Sequence, residues 1–199
     1  MMPSPDAAGA VQLFDAAGAR KYVCGKEWDR FFAAVGRMDA QSRAFCWLLA
    51  FTGCRVSEGL ALCPRHLDAE AGCVIFRTLK RRRRVFRAVP VPPELMVALR
   101  ALARDKEPDT LLWTWHRKTA WQRVKTAMVA AGISGPQATA RGLRHGFGVV
   151  NAEESISGAL TQRWMGHARL ETTAIYQHVV GREERSFARR IWRRLPRLS

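Results

Sequence analysis

Five consecutive cations, Lys80-Arg81-Arg82-Arg83-Arg84, stand between two β-type runs, Cys73-Val74-Ile75-Phe76 and Val85-Phe86-Arg87-Ala88-Val89. No protein interior accepts such a run, because adjacent like charges repel unless solvent or a polyanion screens them. The run therefore has to project as the basic turn of a β-hairpin. From Arg77 to Arg87 the segment holds seven cations and no anion. A solvated tip is the plain reading, and a hairpin that tracks phosphates through Arg77, Arg81, Arg82, Arg83, Arg84 and Arg87 is the sharper one. The whole chain leans the same way. Lys+Arg 33 against Asp+Glu 17 leaves a formal net charge of +16 over 199 residues. A field of that sign attracts polyanions, with nucleic acid first and an anionic membrane surface second. Hydrophobic residues make up 48% of the chain, enough apolar surface to offset chain entropy, so the charge sits on a folded body and not on a disordered basic tail.

Cysteine usage narrows the setting. Cys24, Cys46, Cys54, Cys63 and Cys73 are odd in number and form no C-x-x-C pair, which argues against a disulfide framework and against a zinc ribbon. A reducing cytoplasm fits them. The first residues lack a basic segment followed by an apolar one, so no secretory signal is expected. No apolar run reaches the ~18 residues of a membrane span, and no membrane partner is expected.

Apolar periodicity predicts helices over Glu27–Val35, Ala40–Thr52, Arg55–Leu62, Glu94–Arg104, Lys118–Ala131, Thr139–Ala152, Gly158–Met165, Thr172–Val179 and Glu184–Arg194. With the hairpin between them, the fold class is mainly α with a small antiparallel β-sheet, an α+β arrangement. Residues 1–20, rich in Ala, Gly and Pro without a sustained period, read as a flexible lead-in. Residues 21–181 read as the principal domain. Residues 182–199 read as a basic amphipathic C-terminal helix on which Phe187, Ile191 and Leu195 recur every four residues, able to be exchanged between protomers.

Beside the hairpin, three segments carry candidate chemistry. In Thr52-Gly53-Cys54-Arg55-Val56-Ser57-Glu58, Glu58 is three residues beyond Arg55 and can orient its guanidinium. In Arg141-Gly142-Leu143-Arg144-His145, helical spacing puts Arg141, Arg144 and His145 on one face, where two guanidinium forks could hold phosphate oxygens. In Gly166-His167 through Tyr176, the histidine and the tyrosine are about half a turn out of phase on a continuous helix. They meet only if the chain turns, and Gly166 is the natural place. Taken singly, these segments read equally well as a surface ion pair, an exposed basic helix face and a half-buried aromatic.

Taken together and in order, Thr-Gly-x-Arg-x-Ser-Glu, a hairpin lysine, x-x-Leu-Arg-His and Gly-His-(x8)-Tyr resemble the tyrosine recombinase (phage integrase) family over roughly Lys26 to Val180. The resemblance implies that family's catalytic-domain fold and site-specific DNA recombination through a 3′-phosphotyrosyl link. In its terms Arg55 and Arg144 match the two arginines, Lys80 the hairpin lysine, His167 the third-motif histidine and Tyr176 the nucleophile. Glu58 and His145 match supporting positions. Arg141 stands where the family usually has histidine, so phosphate binding is kept while proton handling changes, since arginine does not exchange its proton near neutrality. The resemblance further implies duplex DNA as partner and a homo-oligomer on DNA. The family's usual helical clamp is expected to be missing, with an accessory DNA-binding protein in its place. No cofactor and no metal are implied, and the setting is the cytoplasm, at a nucleoid or plasmid. Other readings are a catalytically silent DNA-binding regulator of the same fold, a type IB topoisomerase that relaxes DNA, and a basic RNA-binding structural protein.

Overall fold

The computed structural model describes residues 12–78, 85–167 and 171–178. Lys80, Arg81, Arg82, Arg83 and Arg84 and the C-terminal helix expected over 184–194 lie outside them. In chain order come α1 (Lys26–Gly36), α2 (Ala40–Thr52) and α3 (Val56–Leu60), then β1 (Leu67–Asp68), β2 (Cys73–Thr78) and β3 (Val85–Pro90). They are followed by α4 (Pro93–Ala103), α5 (Arg117–Ala130), α6 (Ala140–Glu153), α7 (Gly158–Met165), α8 (Glu171–Ala174) and a 3₁₀ turn, Ile175–His178. No helix among the described residues is long and apolar enough to cross a membrane.

The spine is α2. The Asp39 side chain starts it by accepting from the Ser42 N–H at 2.9 Å, an N-cap worth about 1 kcal/mol. Ala44, Phe45, Cys46, Leu48 and Leu49 are all buried, so the helix is apolar nearly all round and must be enclosed. α1, α4, α5 and α6 enclose it. Phe45 meets the Trp113 ring edge-on at 5.1 Å, and each such buried aromatic or leucine contributes about 1.5–3 kcal/mol. Gly53 ends α2 in the left-handed region, at φ 58°, and a Cβ there would stand 2.6 Å from the Phe147 ring on α6. That close approach fixes α2 against α6 where the first arginine motif begins.

The sheet is antiparallel in the order β1-β2-β3, with Val74 opposite Val89, Phe76 opposite Arg87 and Thr78 opposite Val85. The expected hairpin strands are present, with β2 two residues longer than expected. β1 was not foreseen, because two residues are too few to show an alternation.

Three further differences from the sequence reading have local causes. Within the segment read as a flexible lead-in, residues 12–20 fold onto the body: Leu13 is buried with Tyr22, Val149, Met165 and Tyr176. Arg20 there grips Glu27 through two hydrogen bonds, at 2.7 and 2.9 Å. Surrounding Ala and Gly dilute this one apolar anchor below any periodic signal. The expected helix over 172–179 is instead the single turn α8, tightening to 3₁₀ at Ile175. Arg55 lies just before α3, not inside it.

Candidate active site

Arg55 is the N-cap of α3, and Glu58 sits in the first turn, where a carboxylate suits the positive end of a helix. The Glu58 carboxylate accepts from the Arg55 backbone N–H and from its guanidinium, both at 3.0 Å. Its other partner is Arg87 on β3, which donates to Glu58 Oε2 at 2.7 Å, to Thr78 Oγ1 at 3.2 Å and to the Trp164 carbonyl at 2.8 Å. Burial alone would raise the Glu58 pKa, but the hydrogen bonds and charges of Arg87 and Arg55 outweigh it and hold the carboxyl below its ordinary value.

Arg144 reaches out of α6 to the Gly53 carbonyl at 2.5 Å and the Met165 carbonyl at 2.8 Å, while Arg55 donates to the Gly166 carbonyl at 3.4 Å. The end of α7 is thus held by arginines from three separate segments. Gly166 is required there twice over. It stands at φ 65°, and a Cβ would meet the Arg87 guanidinium at 2.8 Å. Burial, with the charges of Arg55 and Arg87, pulls the Arg144 pKa down to about 10. Among the described residues Glu58 pairs with Arg55 and Arg87 while Arg144 is held by carbonyls, so the site is short of negative charge and suited to an anion.

Just past Gly166, His167 Nδ1 lies 2.9 Å from the Thr173 hydroxyl, and its ring stacks on Tyr176 with centroids 6.4 Å apart and an 18° tilt. Burial, with Arg144 and Arg55, lowers its pKa to about 3, so the imidazole is neutral. Tyr176 is only 2% exposed. Its ring lies against Gly148, where a Cβ would stand 2.4 Å away, and its hydroxyl is 3.1 Å from His145 Nδ1. Burial raises the phenol pKa to about 12 despite the nearby Arg144 and Arg55. The tyrosine borders a recess of ≈ 340 Å³ formed with Ala152, Ser157, Thr161 and Thr173.

Arg55, Arg144, His167 and Tyr176 therefore come together, with Glu58 and His145 touching them. Arg141 does not join the cluster. It sits in the first turn of α6 and is exposed, though its charge still reaches His145. Arg77 is exposed on β2. Arg87, expected on DNA, is turned inward in this structure. Its side chain is 4% exposed, and its donors are committed to Glu58, Thr78 and Trp164. Arg87 supports the site from beneath, and the signal for this was available, since alternation along β3 puts it on the same face as Val85 and Val89. Thr173 and the carbonyls of Gly53, Trp164, Met165 and Gly166 were missed. Backbone acceptors leave no mark in a sequence, and Thr173 matters only because the chain turns at Gly166. Among the described residues no group of three or more His, Cys, Asp or Glu is placed to hold a metal ion.

Comparison with known proteins gives a concordant result. A model described as "Phage integrase family" matches residues 21–182. The chain is 28% identical over 200 residues to an integrase/recombinase of Escherichia coli, covering 76% of this chain and 58% of that protein. It is likewise 28% identical over 172 residues to the tyrosine recombinase XerA of Pyrococcus furiosus, covering 81% and 58%. It thus spans 58% of the length of both relatives. Among solved structures it superposes on XerA recombinase with a TM-score of 0.70 at 24% identity, over 89% of this chain and 66% of that one. On the XerH recombinase bound to a palindromic difH substrate in a post-cleavage complex, the TM-score is 0.75 at 22% identity, over 90% and 56%. At these identities the structural likeness is one of fold.

Proposed function

This chain belongs to the phage integrase family of tyrosine recombinases, and from that membership we propose that it cleaves and rejoins duplex DNA at specific sites through a 3′-phosphotyrosyl link on Tyr176. The observation that carries the reading is the convergence of Arg55, Arg144, His167 and Tyr176, drawn from separate segments, on the end of α7. The Tyr176 phenol oxygen attacks the scissile phosphorus, and the bond to the 5′-oxygen breaks. A 5′-hydroxyl from the partner strand reverses the step, so the phosphodiester energy is kept in the tyrosyl link.

Charge on the nonbridging oxygens grows toward the transition state. Arg55 and Arg144 are preorganised to hold it, and neutral His167 adds a donor through Nε2 when Thr173 donates to Nδ1. Because Arg144 is partly desolvated, an incoming phosphate gains more there than at a fully exposed arginine. Lys80 is the proton donor to the departing 5′-oxygen, for which a lysine is suited and an arginine is not. Duplex DNA is the partner, bound by a homo-oligomer with the basic run of the hairpin on the phosphates. An accessory DNA-binding protein completes the grip, and the protein acts in the cytoplasm at a nucleoid or plasmid. Tyr176 is 2% exposed in the free protein, so access to its hydroxyl has to open before attack.

That covering is the observation favouring the second reading, a DNA-binding regulator that does not cut. Covalent trapping decides between them. Duplexes tiled from the DNA flanking the gene, each nicked so that the 5′-hydroxyl fragment is lost, should give a denaturation-resistant protein–DNA band. Tyr176→Phe should bind the same duplexes and give no band. Binding without a band in the wild type supports the regulator, and a band from the phenylalanine variant removes Tyr176 as nucleophile.

A further inference from the structure

The proton of Tyr176 needs a destination, and two groups at the site that could be looked to for it are unsuited in this structure. Arg141, in the position expected to handle protons, carries a guanidinium, which has no acceptor, and is turned to solvent. His167 faces the tyrosine ring to ring, with its Nδ1 engaged by Thr173, so neither nitrogen is shown on the phenol oxygen. One side-chain nitrogen does meet that oxygen. His145 Nδ1 stands 3.1 Å from it, from the buried face of α6.

We propose that His145 is the proton acceptor for Tyr176, its Nδ1 taking the phenol proton as the phenol oxygen bonds to phosphorus. The proposal rests on the recombinase reading above and adds a catalytic residue to it. The phenol O–H bond breaks, its electron pair becomes the new O–P bond, and the proton passes to Nδ1 to give an imidazolium. The P–O5′ bond breaks and its electron pair leaves on the 5′-oxygen, which is protonated separately. On rejoining, the 5′-hydroxyl attacks, the O–P bond to tyrosine breaks, and the imidazolium returns its proton to the phenol oxygen. No co-reactant is needed.

The surroundings give this pair a built-in condition. His145 is faced by Arg141 and Arg144 on its own helix, by Lys21 from the N-terminal segment, by Tyr176 from the 3₁₀ turn, and by His167. Burial first, then those cations, lowers its pKa to about 4, while burial raises that of the phenol to about 12. In the free protein the proton therefore stays on the tyrosine. A phosphate diester settling on Arg144 and Arg55 offsets the cationic field at His145 and raises its basicity when the nucleophile is needed. The base is switched on by its substrate.

Two measurements test the assignment. On the free protein, ¹⁵N NMR of the histidine rings should show His145 with its proton on Nε2 and a bare Nδ1 whose signal moves in Tyr176→Phe. A protonated Nδ1 at neutral pH would make His145 the donor in this pair and overturn the proposal without reference to DNA. On the nicked duplexes described above, His145→Asn keeps a polar atom near the Nδ1 position but cannot carry the proton. Its rate of adduct formation should fall about 10²-fold with DNA affinity unchanged. Placing a fluorinated tyrosine of lower phenol pKa at position 176 should recover most of that loss. Unchanged or faster cleavage in His145→Asn would mean His145 merely latches the tyrosine inward, and slow cleavage without recovery would mean a structural role. Either result overturns the proposal. If the wild type forms no adduct, the recombinase reading is what has failed, and the NMR result still decides the direction of the hydrogen bond.

Discussion

Glu58 is the carboxylate that holds two of the site's arginines, Arg55 and Arg87. Its side chain is 0% exposed, and its two oxygens face Arg87 and Arg55, with only the former also buried. Such a pair is poor as a source of stability, because both ions were taken out of water, but breaking it is expensive. Glu58→Gln leaves the Arg87 charge buried without its counter-ion. The expected cost is about 3–5 kcal/mol at neutral pH. Urea unfolding monitored by tryptophan fluorescence should show a lower midpoint at unchanged slope. A loss below about 1 kcal/mol would mean that water or a neighbouring group takes over the role of Glu58. The variant should also cleave slowly even where it stays folded, because Arg55 takes its position from the same carboxylate.

At the scale of elements, the packing of α6, the end of α7 and the 3₁₀ turn buries two neutral imidazoles, and this makes stability depend on pH in a definite window. The folded-state pKa values, about 4 for His145 and about 3 for His167, lie below the ordinary 6.5. As pH falls through 6.5 the unfolded chain takes up protons first, so stability is full above about pH 7 and declines toward pH 4. By pH 5 each group removes about 2 kcal/mol relative to pH 8. Glu58 adds to the decline only below its ordinary 4.5, and half-buried His66 shifts in the same direction as the pair. The difference between wild type and His145→Asn therefore isolates one member. Denaturation curves at pH 8 and pH 5 should show the variant losing less than the wild type, and parallel losses would contradict the burial of a neutral His145.

The elements also differ in how far the sequence disclosed them. Ala40–Thr52 and Gly158–Met165 were legible, because each has a polar cap before it and a left-handed glycine after it. The inward turn of Arg87 went unread because its charge outweighed its position in the alternation of β3. The contact between His145 and Tyr176 was not legible at all. It spans 31 residues and depends on the chain reversing after Gly166, which local periodicity does not encode. Lys80 remains an expectation from the motif. If it is the acid, a substrate with sulfur at the 5′-bridging position, which needs little protonation, should restore cleavage to Lys80→Ala but not to Arg55→Ala. Equal behaviour of the two variants would remove Lys80 from that role.

At the scale of the whole molecule, the +16 charge has two separate parts with different consequences for binding. Arg20 and Arg87 turn inward, onto Glu27 and Glu58, so they are already spoken for in the free protein. If the protein binds duplex DNA as proposed, exposed Arg77 and the basic run from Lys80 to Arg84 are the cations expected to displace its counterions. If about 8 phosphates are neutralised, the logarithm of affinity should fall against the logarithm of salt with a slope near −7. A slope shallower than about −3 would assign the charge to something other than duplex DNA. Replacing Arg81, Arg82, Arg83 and Arg84 by serine should flatten the slope by about 3 to 4 if each meets one phosphate. Arg87→Met, in preparations whose circular dichroism shows them folded, should leave the slope unchanged although it removes the same formal charge as any one of those four. Fluorescence anisotropy on one labelled duplex across a salt series reads both effects. A flattening by Arg87→Met as large as that of one of those four would show that Arg87 leaves Glu58 on binding and reaches the phosphates after all.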